Sequence, residues 1–83
     1  MPWDVLWSDK SKKQLSKLDK KTARKIRDAV LDCVDDPFSK VSRLTGSRFY
    51  KLRVGDYRVI LDLQQGILII FVVETDHRKR VYK

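Results

Sequence analysis

Arg53 and Arg58 flank the dipeptide Gly55-Asp56. Gly followed by Asp, between two runs of alternating apolar and polar residues, predicts a tight β-hairpin with glycine at the first central position. That hairpin sets Val54 opposite Tyr57, Leu52 opposite Val59 and Tyr50 opposite Leu61, all on one apolar face. Lys51, Arg53 and Arg58 then share the other face, with the two guanidiniums directly opposed. Like charges opposed across a ladder destabilise it. Two readings follow. One is a solvated sheet face, with Asp56 and Asp62 softening the repulsion. The other is an anion site, because guanidinium holds phosphate through rigid, often bidentate donors and Lys51 adds a point charge.

The C-terminal stretch, residues 76–83, adds His77, Arg78, Lys79, Arg80 and Tyr82. A frayed basic end is one reading. Folded back beside the open face, Arg78 would join the cations and Tyr82 would stack on a nucleobase, as basic residues interleaved with aromatics do for single-stranded RNA. His77 is the only imidazole. It is either a surface histidine or a general acid or base near neutral pH.

The sequence holds no carboxylate cluster for two metals, no glycine-rich phosphate loop and no Ser-His-Asp pattern. Phosphate chemistry on these residues therefore runs without a metal or other cofactor. RNA permits this, because its own 2′-OH is the nucleophile. The protein then bends the strand in line, moves two protons and neutralises the phosphorane. Arg58 and Arg78 suit the last task; Lys51, His77 or Tyr82 would move protons.

These side chains need a scaffold. Trp3-Asp4-Val5-Leu6-Trp7 alternates as a strand with Trp3, Val5 and Trp7 on one face. Ser8 predicts an N-cap for a short helix within residues 9–18, where Leu15 and Leu18 recur at helical spacing. Asp19 caps a second helix whose stripe is Ala23, Ile26, Val30, Cys33 and Val34, ended by Pro37. Residues 37–47 read as a loop, Gln64-Gln65-Gly66 as a second turn, and residues 67–75 as a central strand. The order is β-α-α-β-β-β. It predicts an α+β fold, an antiparallel sheet with a helical hairpin packed on one face and an open basic face.

Eighty-three residues make one domain, 1–83. A single cysteine excludes a disulfide framework, and Cys33 on the apolar stripe reads as core. The longest apolar run, residues 67–73, is too short to span a membrane, and no leader pattern opens the chain. A cytoplasmic protein, monomeric when free, is expected. Nineteen Lys and Arg against eleven Asp and Glu leave +8, which favours a polyanionic partner.

The segment Phe49 to Ile60 resembles the core of the RelE-type toxins of the RelE/ParE superfamily. Leu44-Thr45-Gly46 resembles that family's Leu-x-Gly before the strand, and His77 to Tyr82 its closing His-Arg-x-x-x-Tyr. Element order and length agree over essentially the whole chain. The resemblance implies a ribosome-dependent messenger-RNA endonuclease that arrests translation. It implies 2′-OH attack yielding a cyclic phosphate, without metal. It also implies a cognate antitoxin that wraps and blocks the toxin. Carried over, Lys51 and Arg53 match the basic pair before the hairpin, and Arg58 the arginine thought to stabilise the phosphorane. Arg78 matches the arginine after the last strand and Tyr82 the base-stacking tyrosine. Arg53 stands where some relatives carry lysine, and His77 matches relatives that use histidine for proton transfer. Two other functions suit the same features: a ParE-type gyrase inhibitor, or an RNA-binding module without catalysis.

Overall fold

In the computed structural model, residues 2–77 are described. Arg78, Lys79, Arg80 and Tyr82 lie outside them.

The first strand, β1 (Asp4–Trp7), leads into helix α1 (Asp9–Ser16). Ser8 caps it: its Oγ accepts from the Ser11 N–H at 3.0 Å. Helix α2 (Lys20–Leu31) is capped by Asp19, whose carboxylate accepts from the Thr22 N–H at 3.2 Å. Hydrogen bonds from the Thr22 side chain and, second, its backbone N–H lower the Asp19 pKa.

Helix α2 ends well short of Pro37, contrary to the expectation. The Cys33 and Val34 N–H groups bond to the carbonyls of Val30 and Leu31, so the chain tightens out of the α geometry there. Asp35 and Asp36 thus stand beyond the helix, away from a dipole end that disfavours anions. Pro37 instead opens a single 3-10 turn, Pro37–Ser39, followed by a two-residue strand β2 (Ser42–Arg43) within the expected loop.

Strands β3 (Tyr50–Val54), β4 (Tyr57–Gln64) and β5 (Ile69–His77) complete a five-stranded sheet of order β1-β5-β4-β3-β2. The α+β class stands as expected, and β5 is an interior strand between β1 and β4, but β4 is the central one and the outer-face Phe71 and Val73 of β5 are only half-buried. The sheet is mixed rather than wholly antiparallel, because β1 pairs with β5 in parallel, Asp4 to Ile69 through Trp7 to Val72. Strands this remote in sequence join in parallel through a crossover, which here holds both helices.

The apolar stripe of α2 meets the inner sheet face. Ile26, Val30, Leu61, Ile70 and Val72 are fully buried, with Trp3, Leu52 and Val54 nearly so. Cys33 is buried as expected, and desolvation raises its thiol pKa. The second turn departs from the expectation. It lies later than Gln64-Gln65-Gly66: Gln64 ends β4, and Leu68 takes a left-handed backbone at φ +54°. Ile67, 64% exposed, and Leu68 therefore belong to the turn, and β5 starts at Ile69.

One irregularity places the candidate site. The β4–β5 register jumps between Ile60 and Leu61: Ile60 faces Glu74 but Leu61 faces Val72, which leaves Val73 extra. This β-bulge inverts the alternation along β5. Ile70 and Val72 point into the core before it, and Thr75 after it.

Beyond Val72 strand β5 has no β1 partner, and α1 supplies one. The Ser8 Oγ–H donates to the Val73 carbonyl at 2.6 Å, and the Gln14 Oε1 accepts from the Thr75 N–H at 2.7 Å. Thr75 is buried, so losing that acceptor strands a buried donor. Gln14→Ala is expected to cost about 1–3 kcal/mol, read from the urea midpoint. An unchanged midpoint would show that another group replaces Gln14.

Candidate functional site

The hairpin has the register its turn dipeptide dictates: Val54 faces Tyr57, Leu52 faces Val59, and Tyr50 faces Leu61. Gly55 takes φ +59°, a left-handed value that glycine adopts without steric cost. Arg53 and Arg58 are therefore directly opposed. Their face is the outer one, since Leu52, Val54 and Val59 enter the core. Lys51, two residues before Arg53, lies on the same face, opposite Ile60.

The row continues into β5, where Arg58 is opposite Asp76. The Arg58 Nη2–H donates to Asp76 Oδ2 at 2.9 Å, an ion pair with both side chains about a third exposed. Asp76 was not foreseen as a member of the site. Asp56 and Asp62 were expected to soften the arginine pair. Asp62 instead faces Phe71 and contacts Arg48 at 3.6 Å. Only the bulged register reveals Asp76 as the partner, and no local pattern carries it.

The next row runs from Lys51 through Ile60 to Glu74, which pairs with Lys10 at 2.9 Å. So the outer face alternates charges rather than being uniformly basic. Among the described residues, no ion pair engages Lys51 or Arg53. Arg53 is exposed and Lys51 half-buried. The Arg58 Nε is buried and has no hydrogen-bond partner among the described residues. The cluster thus offers two unpaired cations beside a third whose carboxylate partner an incoming anion would have to displace.

His77 stands apart from this cluster. It faces Tyr57 across β4 and β5, with ring centroids 4.8 Å apart and planes nearly perpendicular. Tyr57 packs against the core, so His77 lies on the helix side of the sheet, opposite Arg58 and Asp76. It lines a cavity of about 290 Å³ with Gln14, Lys17, Leu18, Tyr57 and Thr75. The structure therefore gathers Lys51, Arg53 and Arg58 and separates His77 from them by one step of strand alternation. Arg78 and Tyr82 lie outside the described residues. Among those residues, no three His, Cys, Asp or Glu side chains converge as metal ligands, and no helix is long and apolar enough to cross a membrane.

The fold has close counterparts. The RelBE2 toxin–antitoxin complex of Mycobacterium tuberculosis matches with a TM-score of 0.82 at 20% identity, covering 94% of this chain and 100% of that one. The archaeal RelE–RelB complex of Pyrococcus horikoshii also matches at 0.82, with 25% identity and coverage of 96% and 99%. The isolated RelE toxin of E. coli matches at 0.79, with 18% identity and coverage of 96% and 90%. No curated protein matches the chain significantly in sequence. Residues 5–82 match the family described as the ParE toxin of the type II toxin–antitoxin system parDE. With nearly its whole length matched and a RelE fold, the chain belongs to the ParE toxin family, within the RelE/ParE superfamily of type II toxins.

Proposed function

We propose that this toxin is a ribosome-dependent messenger-RNA endonuclease that needs no metal. The observation that carries the reading is the directly opposed pair Arg53 and Arg58, with Lys51 on the same face. Such a juxtaposition destabilises a bare sheet and is relieved by a bound phosphate. In this mechanism the RNA 2′-OH loses its proton and attacks the adjacent phosphorus. The P–O5′ bond then breaks and the 5′-oxygen takes up a proton, leaving a 2′,3′-cyclic phosphate and a 5′-OH. Arg58 and Arg78 neutralise the phosphorane, Lys51 and Arg53 hold the strand, and Tyr82 stacks on the substrate base. Proton transfer falls to Lys51 or Tyr82, or to His77 if the strand reaches the helix side. The ribosome holds the message in place, and a cognate antitoxin, as in the RelE–RelB complexes, silences the free monomer.

The test is translation of a defined message with the purified chain, mapped by primer extension, beside a reaction without ribosomes. New 5′ ends that need ribosomes are expected. Intact message with folded toxin present would defeat the reading. The ParE family match favours one alternative, inhibition of gyrase. A supercoiling assay with purified gyrase separates the two, and inhibition there with intact message selects the alternative.

Asp76 gives a finer check. Asp76→Asn removes the carboxylate that competes with phosphate for Arg58. Tighter binding of a short oligoribonucleotide is expected, by up to about tenfold, with a steeper salt dependence. Weaker binding would mean that Asp76 chiefly orients the guanidinium.

A further inference from the structure

Tyr57 separates two hollows on the helix side of the sheet. One is the cavity of about 290 Å³ that also holds Lys17 and His77. The other, about 210 Å³, opens at the hairpin tip between Gly55, Asp56, Thr22 and Lys25. Lys25 in turn borders a third hollow of about 480 Å³ with Lys20, Lys21, Arg24 and one carboxylate, Asp28. The three follow one another through Tyr57 and then Lys25. Among the described residues, no ion pair engages Lys17, Lys20, Lys21, Arg24 or Lys25. Five unpaired cations along one track attract a polyanion.

The track starts beside the opposed arginines. Tyr57 adjoins Arg58 in β4, and His77 adjoins Asp76 in β5, on the opposite sheet face but at the same end. A chain held by Arg53 and Arg58 need only round that end to reach Tyr57. We infer that this helix-side track binds single-stranded RNA, with a base in the Tyr57 hollow and phosphates along Lys17, Lys25 and the start of α2. The inference rests on the RNA reading above and extends the contacted strand beyond the scissile phosphate. An aromatic wall amid cations matches the two faces of a nucleotide, a π-surface and a charge. An acidic polypeptide would use the cations and leave the aromatic hollow without a role.

The test uses the full chain and a fluorescein-labelled twelve-nucleotide RNA of mixed sequence, without ribosomes. Lys17→Glu/Lys25→Glu should weaken binding at least about tenfold and reduce the salt slope by about 1.4, the value for two lost phosphate contacts on a single strand. Lys12→Glu/Lys40→Glu makes the same charge change at exposed positions outside the hollows, and should stay within about threefold. RNA carrying 4-thiouridine should crosslink to the peptide that holds Tyr57. Equal weakening by both variants would overturn the inference in favour of a diffuse field. Unchanged RNA binding with lost binding of a polyglutamate peptide would overturn it in favour of a protein surface. Failure of the nuclease reading shows separately: groove-dependent RNA binding with uncut message on ribosomes defeats cleavage and upholds the track.

Discussion

Arg58→Ala is expected to abolish translation arrest while leaving the toxin folded. A preorganised donor aimed at developing charge is worth about 10²–10³ in rate when removed, and Arg58 is the most preorganised cation of the cluster. Its guanidinium is fixed by the 2.9 Å bond to Asp76 and its side chain is only 32% exposed. Arg53, by contrast, is exposed and has no ion pair among the described residues. The stability cost should be small. A partly exposed ion pair contributes about 0–1 kcal/mol, and Asp76 can turn to water. Single-turnover cleavage on programmed ribosomes, with circular dichroism as the folding control, reads both. Arg58→Lys should recover only part of the rate, because a point charge replaces a planar fork. Cleavage within threefold of the parent in folded Arg58→Ala would remove Arg58 from the chemistry.

The largest stability loss is expected at Leu61. It is fully buried, faces Tyr50 on one side and Val72 on the other, and sits at the bulge where β5 changes its facing. Leu61→Ala leaves a cavity that rigid neighbouring strands cannot close, at a cost of about 2–5 kcal/mol. A domain of this length has roughly 4–12 kcal/mol in total. The variant should therefore unfold at much lower urea, and a fraction should be unfolded at 37 °C. Leu6→Ala is the control, since Leu6 is 50% exposed on the outer face of β1, and it should shift stability by no more than about 0.5 kcal/mol. Similar losses at the two positions would mean that the outer face is covered in solution.

Both predictions depend on features of different legibility. The Gly55-Asp56 hairpin was fully legible, because turn type, register and facing are set within a dozen residues. The opposition of Arg53 and Arg58 follows from it without further knowledge of the fold. The caps at Ser8 and Asp19 were legible for the same reason, since each bond spans three residues. The end of α2 was less so. The apolar stripe continues through Cys33 and Val34 although the helix does not, because side-chain periodicity reports burial and not backbone geometry. The second turn was legible only in part: Gln64-Gln65-Gly66 marks it, but Gln64 still belongs to β4 and the chain turns on through Leu68, which takes a left-handed backbone.

By itself, then, the sequence determined the hairpin, the caps, the buried stripe and the cationic row on one strand pair, all products of local sterics and short-range alternation. Only the tertiary structure decided which strands meet across long intervals. It paired β1 with β5 in parallel and placed a bulge at Val73. One extra residue there inverts the facing of everything after it, bringing Asp76 to Arg58 and turning His77 to the helix side with Tyr57. No neighbouring residues encode that choice. Ser8 and Gln14 of a distant segment hydrogen-bond β5 at Val73 and Thr75, where it no longer has a β1 partner.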